Sequence, residues 1–478
     1  MQITAHPNYI KTASDVTAIR DAVAGQYAVK AKQRTYLPHP NRGDTSTDDA
    51  KLLYAAFLAG AEFDEYPSNT LYANIGKLSL KSTQIELPER LRYLENDCDG
   101  DGLSLTGLLT SCASNVMQVG FHVLVVDYKG LTDVDATQLS LADIQAIKPR
   151  ATIKQYTREN VINWSFARIG GTMQLQYVML QEITTDFDPR NLVHDTVKSY
   201  TVLALDENGN YYQQKIVKGL AGQEESGRNY VTVGGKPLTW LPVQIVSDDA
   251  VSGELPIGFG ILSSIVNLTY ARYRMSAVYK ATLAQLAPTI MTKGWSNGDL
   301  ELFQEVNGRN YIVTGLGGVN NLPNSVEVDI ISSGVSLEPM EKYFAENVDK
   351  IRQLGGIVSQ SQQNKTATQV DTESADQKAQ LDTIATAVES GVTQCLLYCG
   401  MFEGLWSQDK IESNLDAIVL QLSREFTKIK MPIEQARMLL DLDLAGKLPE
   451  GALLELLHKG NLIDADIAEL INGIDNNA

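Results

Sequence analysis

Cysteine is scarce and scattered. Cys98, Cys112, Cys395 and Cys399 are the four in 478 residues, too few and too widely spaced for a secreted disulfide framework. Cys395 and Cys399 fall one helical turn apart in an apolar stretch. Two thiols at that spacing can hold a metal, but their apolar surroundings favour core packing, and all four read as reduced thiols of a chain made in a cytoplasm. Long apolar runs are missing too. No run of about eighteen apolar residues occurs, and the opening MQITAHPNYIK has no apolar core of signal-peptide length, so neither a membrane span nor a signal peptide is expected. The five histidines (His6, His39, His122, His194 and His458) do not cluster, and GxxxxGK(S/T), GxGxxG, GxSxG and HExxH are all absent. An ordinary enzyme site therefore has no anchor, and no cofactor or metal is expected. Positive charge is also short. Against 58 Asp and Glu stand 40 Lys and Arg, a net charge of -18, which argues against tight wrapping of a polyanion but permits DNA to slide past without sticking.

With 44% hydrophobic residues the chain can fill two or three cores. Residues 14–33 read as a helix capped by Ser14 or Asp15, 51–63 as a second and 103–120 as a third, followed by the strand FHVLVVDY at 121–128. Between residues 151 and 248, alternating segments separated by Gly and Asn turns read as antiparallel sheet. The character changes at Pro256. Residues 259–287 hold no acid, three bases (Arg272, Arg274, Lys280) and many Ala and Ser, as expected of one long helix whose small side chains allow close packing; Pro288 ends it. A short β-rich insert runs to about Gly334, then a helix over 337–354 carries Pro339 in its first turn and the pairs Glu338 with Lys342 and Glu346 with Lys350. The breaker GGIVSQSQQNK at 355–365 precedes a capping box, Thr366 with Gln369, opening a helix of about 35 residues. AIVLQLSREF reads as a strand, and three short helices fill 429–478, where nine acids face four bases. The fold class is α+β.

Two local patterns suggest metals. Asp97-Cys98-Asp99-Gly100-Asp101-Gly102 matches the first half of a calcium loop, but its twelfth position is Leu108, where a bidentate Glu is needed. An Asp-Gly turn whose last carboxylate caps the helix beginning near Leu103 is the plainer reading. His39, between Pro38 and Pro40, has no partner in sequence and reads as a loop histidine.

The order of elements is more telling than any motif: a mixed α/β region, a long helix, a small β module, a second helix, a loop, a very long helix and a short helical tail. With it go IRDAVAGQYAVKAKQRTYLP (19–38), DCDGDGLSL (97–105), VVDY (125–128), PRATIKQYTRENVINW (149–164) and KTATQVDTES (365–374). In these segments and their order the chain resembles the portal proteins of tailed double-stranded DNA bacteriophages, of the short-tailed type. The resemblance implies a portal fold divided into a wing (1–255), a first stem helix (256–287), a clip (288–336), a second stem helix (337–354), a tunnel loop (355–365), a long wing helix and strand (366–428) and a short crown (429–478). It implies a cyclic ring of twelve copies at one capsid vertex of the virion, assembled in the host bacterial cytoplasm. Its implied partners are double-stranded DNA passing through the channel, the terminase large subunit, and head-tail adaptor and capsid proteins; no enzymatic role follows. Ser359, Gln360, Ser361, Gln362, Gln363, Asn364 and Lys365 become the channel-facing loop, neutral hydrogen-bonding groups with one charge. The stem charges Arg272, Arg274 and Lys280 are expected to pair with Glu341, Glu346 or Asp349, within or between subunits. A head-tail adaptor or other capsid protein is the alternative, and a hydrolase holding a metal on Asp97, Asp99 and Asp101 a more distant one.

Overall fold

The computed structural model describes residues 3–40, 43, 45–129, 149–188, 192–219, 222–249, 251, 253–285, 289–309, 312, 320–331, 336–355, 367–424 and 437–441. Helix α1 (Pro7–Ala24) starts earlier than Ser14 because His6 caps it, its Nδ1 accepting from the Asn8 amide at 3.2 Å, and Pro7 supplies a preset φ at the first position. Gly25, at φ +92°, separates α1 from the short α2 (Gln26–Ala31), a conformation that costs glycine little. Helix α3 (Asp48–Gly60) is capped by Thr47 and carries Asp48 and Asp49 at its positive end. Helix α4 (Tyr66–Leu78), which the sequence pattern did not reveal, buries Leu71 and Leu78. Strand β1 (Gln84–Glu86) and the single turn α5 (Tyr93–Asn96) lead to α6 (Leu105–Val119), where Leu105, Leu108, Leu109, Cys112 and Val116 form one buried stripe. Gly120, at φ +87°, turns the chain out of α6 into strand.

The antiparallel region divides into two sheets, a split invisible in sequence because both show the same alternation. β2 (Phe121–Lys129) lies between β3 (Arg150–Thr157) and β12 (Val243–Ser247) in a three-stranded sheet. β4 (Val161–Ile169), β5 (Thr172–Asp188), β6 (Val193–Leu205), β7 (Tyr211–Gly219) and β8 (Gly222–Glu225) follow one another in the second, with β9 (Asn229–Tyr230) paired to β7. Its centre is covered on both faces: Val178 and Leu180 enter the main core, and Met179 joins Ile162, Val202, Ala204 and Ile216 in a smaller one. β10 (Thr232–Val233) and β11 (Lys236–Pro237) form a hairpin.

Helix α7 (Leu262–Gln285) enters through a segment pressed against the end of α6: a Cβ on Gly260 would lie 2.1 Å from the Met117 carbonyl oxygen. Val266, Tyr270, Tyr273 and Ala277 then pack on Val16, Ile19 and Ala22 of α1. The insert after α7 is not purely β. Its strands β13 (Thr289–Lys293) and β14 (Glu327–Ile331) pair antiparallel, and between them lies α8 (Asn297–Asn307). The Ser296 hydroxyl and Asp299 carboxylate cap α8 reciprocally, and Phe303 buries against Trp295. Helix α9 (Glu338–Gly355) returns along α7. Helix α10 (Ala367–Phe402) spans 36 residues and lays Leu381, Ile384, Ala385, Val388, Val392, Cys395 and Cys399 on the three-stranded sheet and α6. Each fully buried Leu, Ile or Val of this stripe stabilises the fold by about 1.5–3 kcal/mol before entropy. Among the described residues of the strand expected at 417–426, Val419–Gln421 form β15, paired with β1. Residues 356–366, with the box at Thr366, and 429–478, except 437–441, lie outside the described residues.

Candidate functional site

The two helices that bracket the β13–α8–β14 module are joined by specific contacts. Asn347 donates from Nδ2 to the Leu268 carbonyl at 3.4 Å, Arg272 to the Phe344 carbonyl at 3.2 Å, and the Tyr279 hydroxyl to Glu341 at 3.2 Å. The Arg272 guanidinium lies 4.8 Å from the Phe344 ring centroid. Gly355 sits at the end of this pairing, where an added Cβ would meet Thr70 Oγ1 at 3.0 Å and Ile265 at 3.3 Å.

The stem charges divide their partners differently from the expectation. Within the chain Arg272 pairs with Asp64, Lys280 with Glu62 at 2.9 Å, and Arg274 donates to the Tyr36 carbonyl at 2.9 Å. Asp64 and Glu62 lie in the α3–α4 connection, so the Arg272 guanidinium bridges that connection and the Phe344 carbonyl of α9; Asp349 meets Arg352 of its own helix at 3.6 Å. The sequence offered no signal for Asp64 or Glu62, because α4 itself was not anticipated. Ser359, Gln360, Ser361, Gln362, Gln363, Asn364 and Lys365 lie outside the described residues.

The Asp97–Asp101 loop spends its carboxylates on its own backbone. Asp97 Oδ1 accepts from the amides of Gly100 at 2.8 Å and Gly102 at 3.0 Å, and Asp99 Oδ1 from those of Asp101 at 2.8 Å and Leu103 at 3.1 Å. The Gly102 amide and the adjacent Arg150 hold the Asp97 carboxyl below the usual range. The cap of α6 is Ser104, accepting from the Gly107 amide at 3.1 Å, so the expected Asp101 cap and Leu103 start are both superseded. Among the described residues no group of three or more His, Cys, Asp or Glu is arranged to hold a metal. His39 Nε2 lies 3.0 Å from the Ala50 carbonyl oxygen, its ring stacked on Tyr54. The four cysteines are buried and unpaired by disulfides, and burial pushes all four thiols up, Cys98 to about 12.

Two buried bases were missed by sequence. Arg158 is 6% exposed and donates to the carbonyls of Val119 and Gly258, each at 2.6 Å, and of Ile257 at 3.0 Å, between the rings of Phe121 and Phe259. It ties the β3–β4 junction to the end of α6 and to the segment entering α7. Carbonyl acceptors carry no residue signature, so no spacing could reveal it. His122 is fully buried on β2, with Nε2 3.3 Å from Gln155 Oε1; desolvation lowers its pKa to about 4. Beside it Arg20 binds Glu159, Gln118 and Asn115.

No family model and no curated protein matches the sequence. Among solved structures the chain is similar to one from the virion of a native gene transfer agent particle, at TM-score 0.41 and 12% identity, covering 91% of this chain and 99% of that one. A chain from the neck of the empty particle, computed with C6 symmetry, gives 0.41 and 11% over 91% and 99%. One from the neck of the native particle, computed with C12 symmetry, gives 0.40 and 13% over 90% and 99%. Among the described residues no helix is long and apolar enough to cross a membrane.

Proposed function

We propose that the protein is a portal: a ring-forming structural protein of a phage-like virion through whose central channel double-stranded DNA enters and leaves the capsid. The observation that carries the reading is the arrangement of α7 and α9. Two helices packed along each other bracket a small strand-helix-strand module and follow a wing of two sheets, while the 36-residue α10 returns to that wing. That is the order of stem, clip, stem and wing, and the local segments named in the sequence point the same way. On this reading residues 1–255 and 366–428 form the wing, 256–287 and 337–354 the stem, 288–336 the clip, 355–365 the tunnel loop and 429–478 the crown. Terminase, adaptors and capsid protein are the partners. A cyclic head-to-tail contact turns each side chain into a ring of like side chains, and the net charge of -18 keeps such rings from trapping phosphate.

The decisive test is electron-microscopy class averaging of the purified protein. Closed rings with a central channel are expected, and compact particles without a channel would overturn the reading. Deleting residues 357–364 tests the loop assignment: packaging or retention of DNA should fail while rings still form. Normal packaging by that variant would remove the loop's role.

A further inference from the structure

Five Asp-Gly or Asn-Gly pairs fall among the described residues, beginning at Asp99, Asp101, Asn208, Asn297 and Asn307. Such a pair can rearrange: the backbone nitrogen of the glycine attacks the side-chain carbonyl carbon before it and closes a five-membered imide. The attack needs that nitrogen uncommitted, and glycine presents it with no Cβ in the way. Four of the five pairs withhold it. Gly100 and Gly102 donate to Asp97 Oδ1 at 2.8 and 3.0 Å, Gly209 to the Asp206 carbonyl at 3.0 Å and Gly308 to the Gln304 carbonyl at 2.8 Å. Asn307 is held a second time through its own amide, which donates to the carbonyls of Phe303 at 3.0 Å and Asn321 at 2.8 Å and accepts from the Asn321 amide at 2.9 Å.

Asn297 and Gly298 differ on both counts. They open α8, and both are exposed. The Gly298 N–H lies in the first turn, ahead of any intrahelical acceptor, and neither it nor the Asn297 side chain has a hydrogen-bond partner among the described residues. A Cβ built on Gly298 would meet nothing within 4 Å, so solvent surrounds the pair. What restrains it is the capping box: Ser296 Oγ accepts from the Asp299 amide at 3.3 Å, and the Asp299 carboxylate accepts from the Ser296 amide at 3.0 Å. The box keeps Asn297 helical, which turns the Gly298 nitrogen away from Asn297 Cγ. Opening it frees that torsion and breaks no bond made by Gly298.

We propose that Asn297 is a site of spontaneous deamidation, gated by the Ser296–Asp299 box. Hydroxide takes the Gly298 amide proton, the nitrogen bonds to Asn297 Cγ, and the side-chain nitrogen leaves as ammonia. Water then opens the imide at either carbonyl, giving aspartate or isoaspartate. One water is consumed and one ammonia released, and nothing is oxidised or reduced. Aspartate adds a negative charge two residues before Asp299. Isoaspartate lengthens the main chain by a methylene, so the box cannot re-form and the packing of Trp295 on Phe303 beside it is loosened. The chemistry needs one subunit only, whatever the assembly.

The test is peptide mapping by mass spectrometry after incubation of the purified protein in mildly alkaline buffer, with isoaspartate read by enzymatic methylation. The Asn297 peptide should convert several-fold faster than the Asn208 and Asn307 peptides, and in urea the three should convert at similar rates. Gly298→Ala, whose methyl enters open space, should slow conversion at Asn297 several-fold; Asp299→Ala should speed it there and leave Asn208 and Asn307 as they were. Conversion at Asn208 or Asn307 as fast as at Asn297 in the folded protein would overturn the proposed site, as would a Gly298→Ala variant that converts at the native rate. An Asp299→Ala variant converting no faster than the native protein would overturn the gating.

Discussion

Replacing Arg158 with Met removes the charge and the fork of donors but keeps most of the apolar stem. The native guanidinium is 6% exposed and donates three hydrogen bonds to carbonyls at 2.6, 2.6 and 3.0 Å. Each such bond to a charged group contributes about 1.5–3 kcal/mol, and the two ring contacts with Phe121 and Phe259 add roughly 1–2 kcal/mol when desolvated. Against this stands the cost of burying an unpaired guanidinium, several kcal/mol, which the substitution relieves. Three carbonyls are nevertheless left short of a donor, and the balance is a loss of about 3–4 kcal/mol, a large share of the 5–15 kcal/mol typical of a domain. Urea denaturation followed by circular dichroism should show a lower midpoint with an unchanged slope. Arg158→Lys should recover less than half, since an ammonium cannot reach three divergent carbonyls in one plane. A Met variant within 1 kcal/mol of the native protein would refute the idea that Arg158 fixes the entry of α7.

Three further outcomes follow from the same geometry. His122 has a folded pKa near 4, below its unfolded value of about 6.5, so its contribution is full above that value and falls as pH drops toward 4, by about 3 kcal/mol in all; the wild type should lose that much more than His122→Asn between pH 7 and pH 4, and equal losses in the two proteins would contradict it. Gly260→Ala drives a Cβ into the Met117 and Val116 carbonyls, whose backbone cannot swing aside, and should cost more than about 3 kcal/mol in a denaturation midpoint; a neutral effect would show that the α6–α7 approach is looser than described. Asp64→Asn breaks a half-exposed ion pair with Arg272, for which about 1 kcal/mol is expected, whereas Glu346→Gln should leave the stability of the separated subunit unchanged in the same assay.

The large elements were legible because each rests on a one-dimensional pattern. The long helices α7, α9 and α10 follow from apolar periodicity and punctuation, and the strand after Gly120 from its β-branched residues. What escaped depended on reciprocity between distant parts. Helix α8 did carry its signal, a Ser296 and Asp299 box, but Gly and Asn around it read as turn residues, and only the burial of Phe303 against Trp295 tips the segment to helix. The start of α1 at Pro7 depends on a histidine acting as cap, a rare use of that side chain. For the stem charges, the partners within the chain carried no signal in sequence: Arg272 and Lys280 lean toward Asp64 and Glu62 because α4, unseen in sequence, carries the α3–α4 connection to α7.

The central claim is that many copies of this chain close into one ring, and native mass spectrometry of the purified protein at micromolar concentration tests it most directly. A single dominant species at twelve times the subunit mass is predicted, persisting on dilution. A spectrum containing only monomer and dimer would contradict the account.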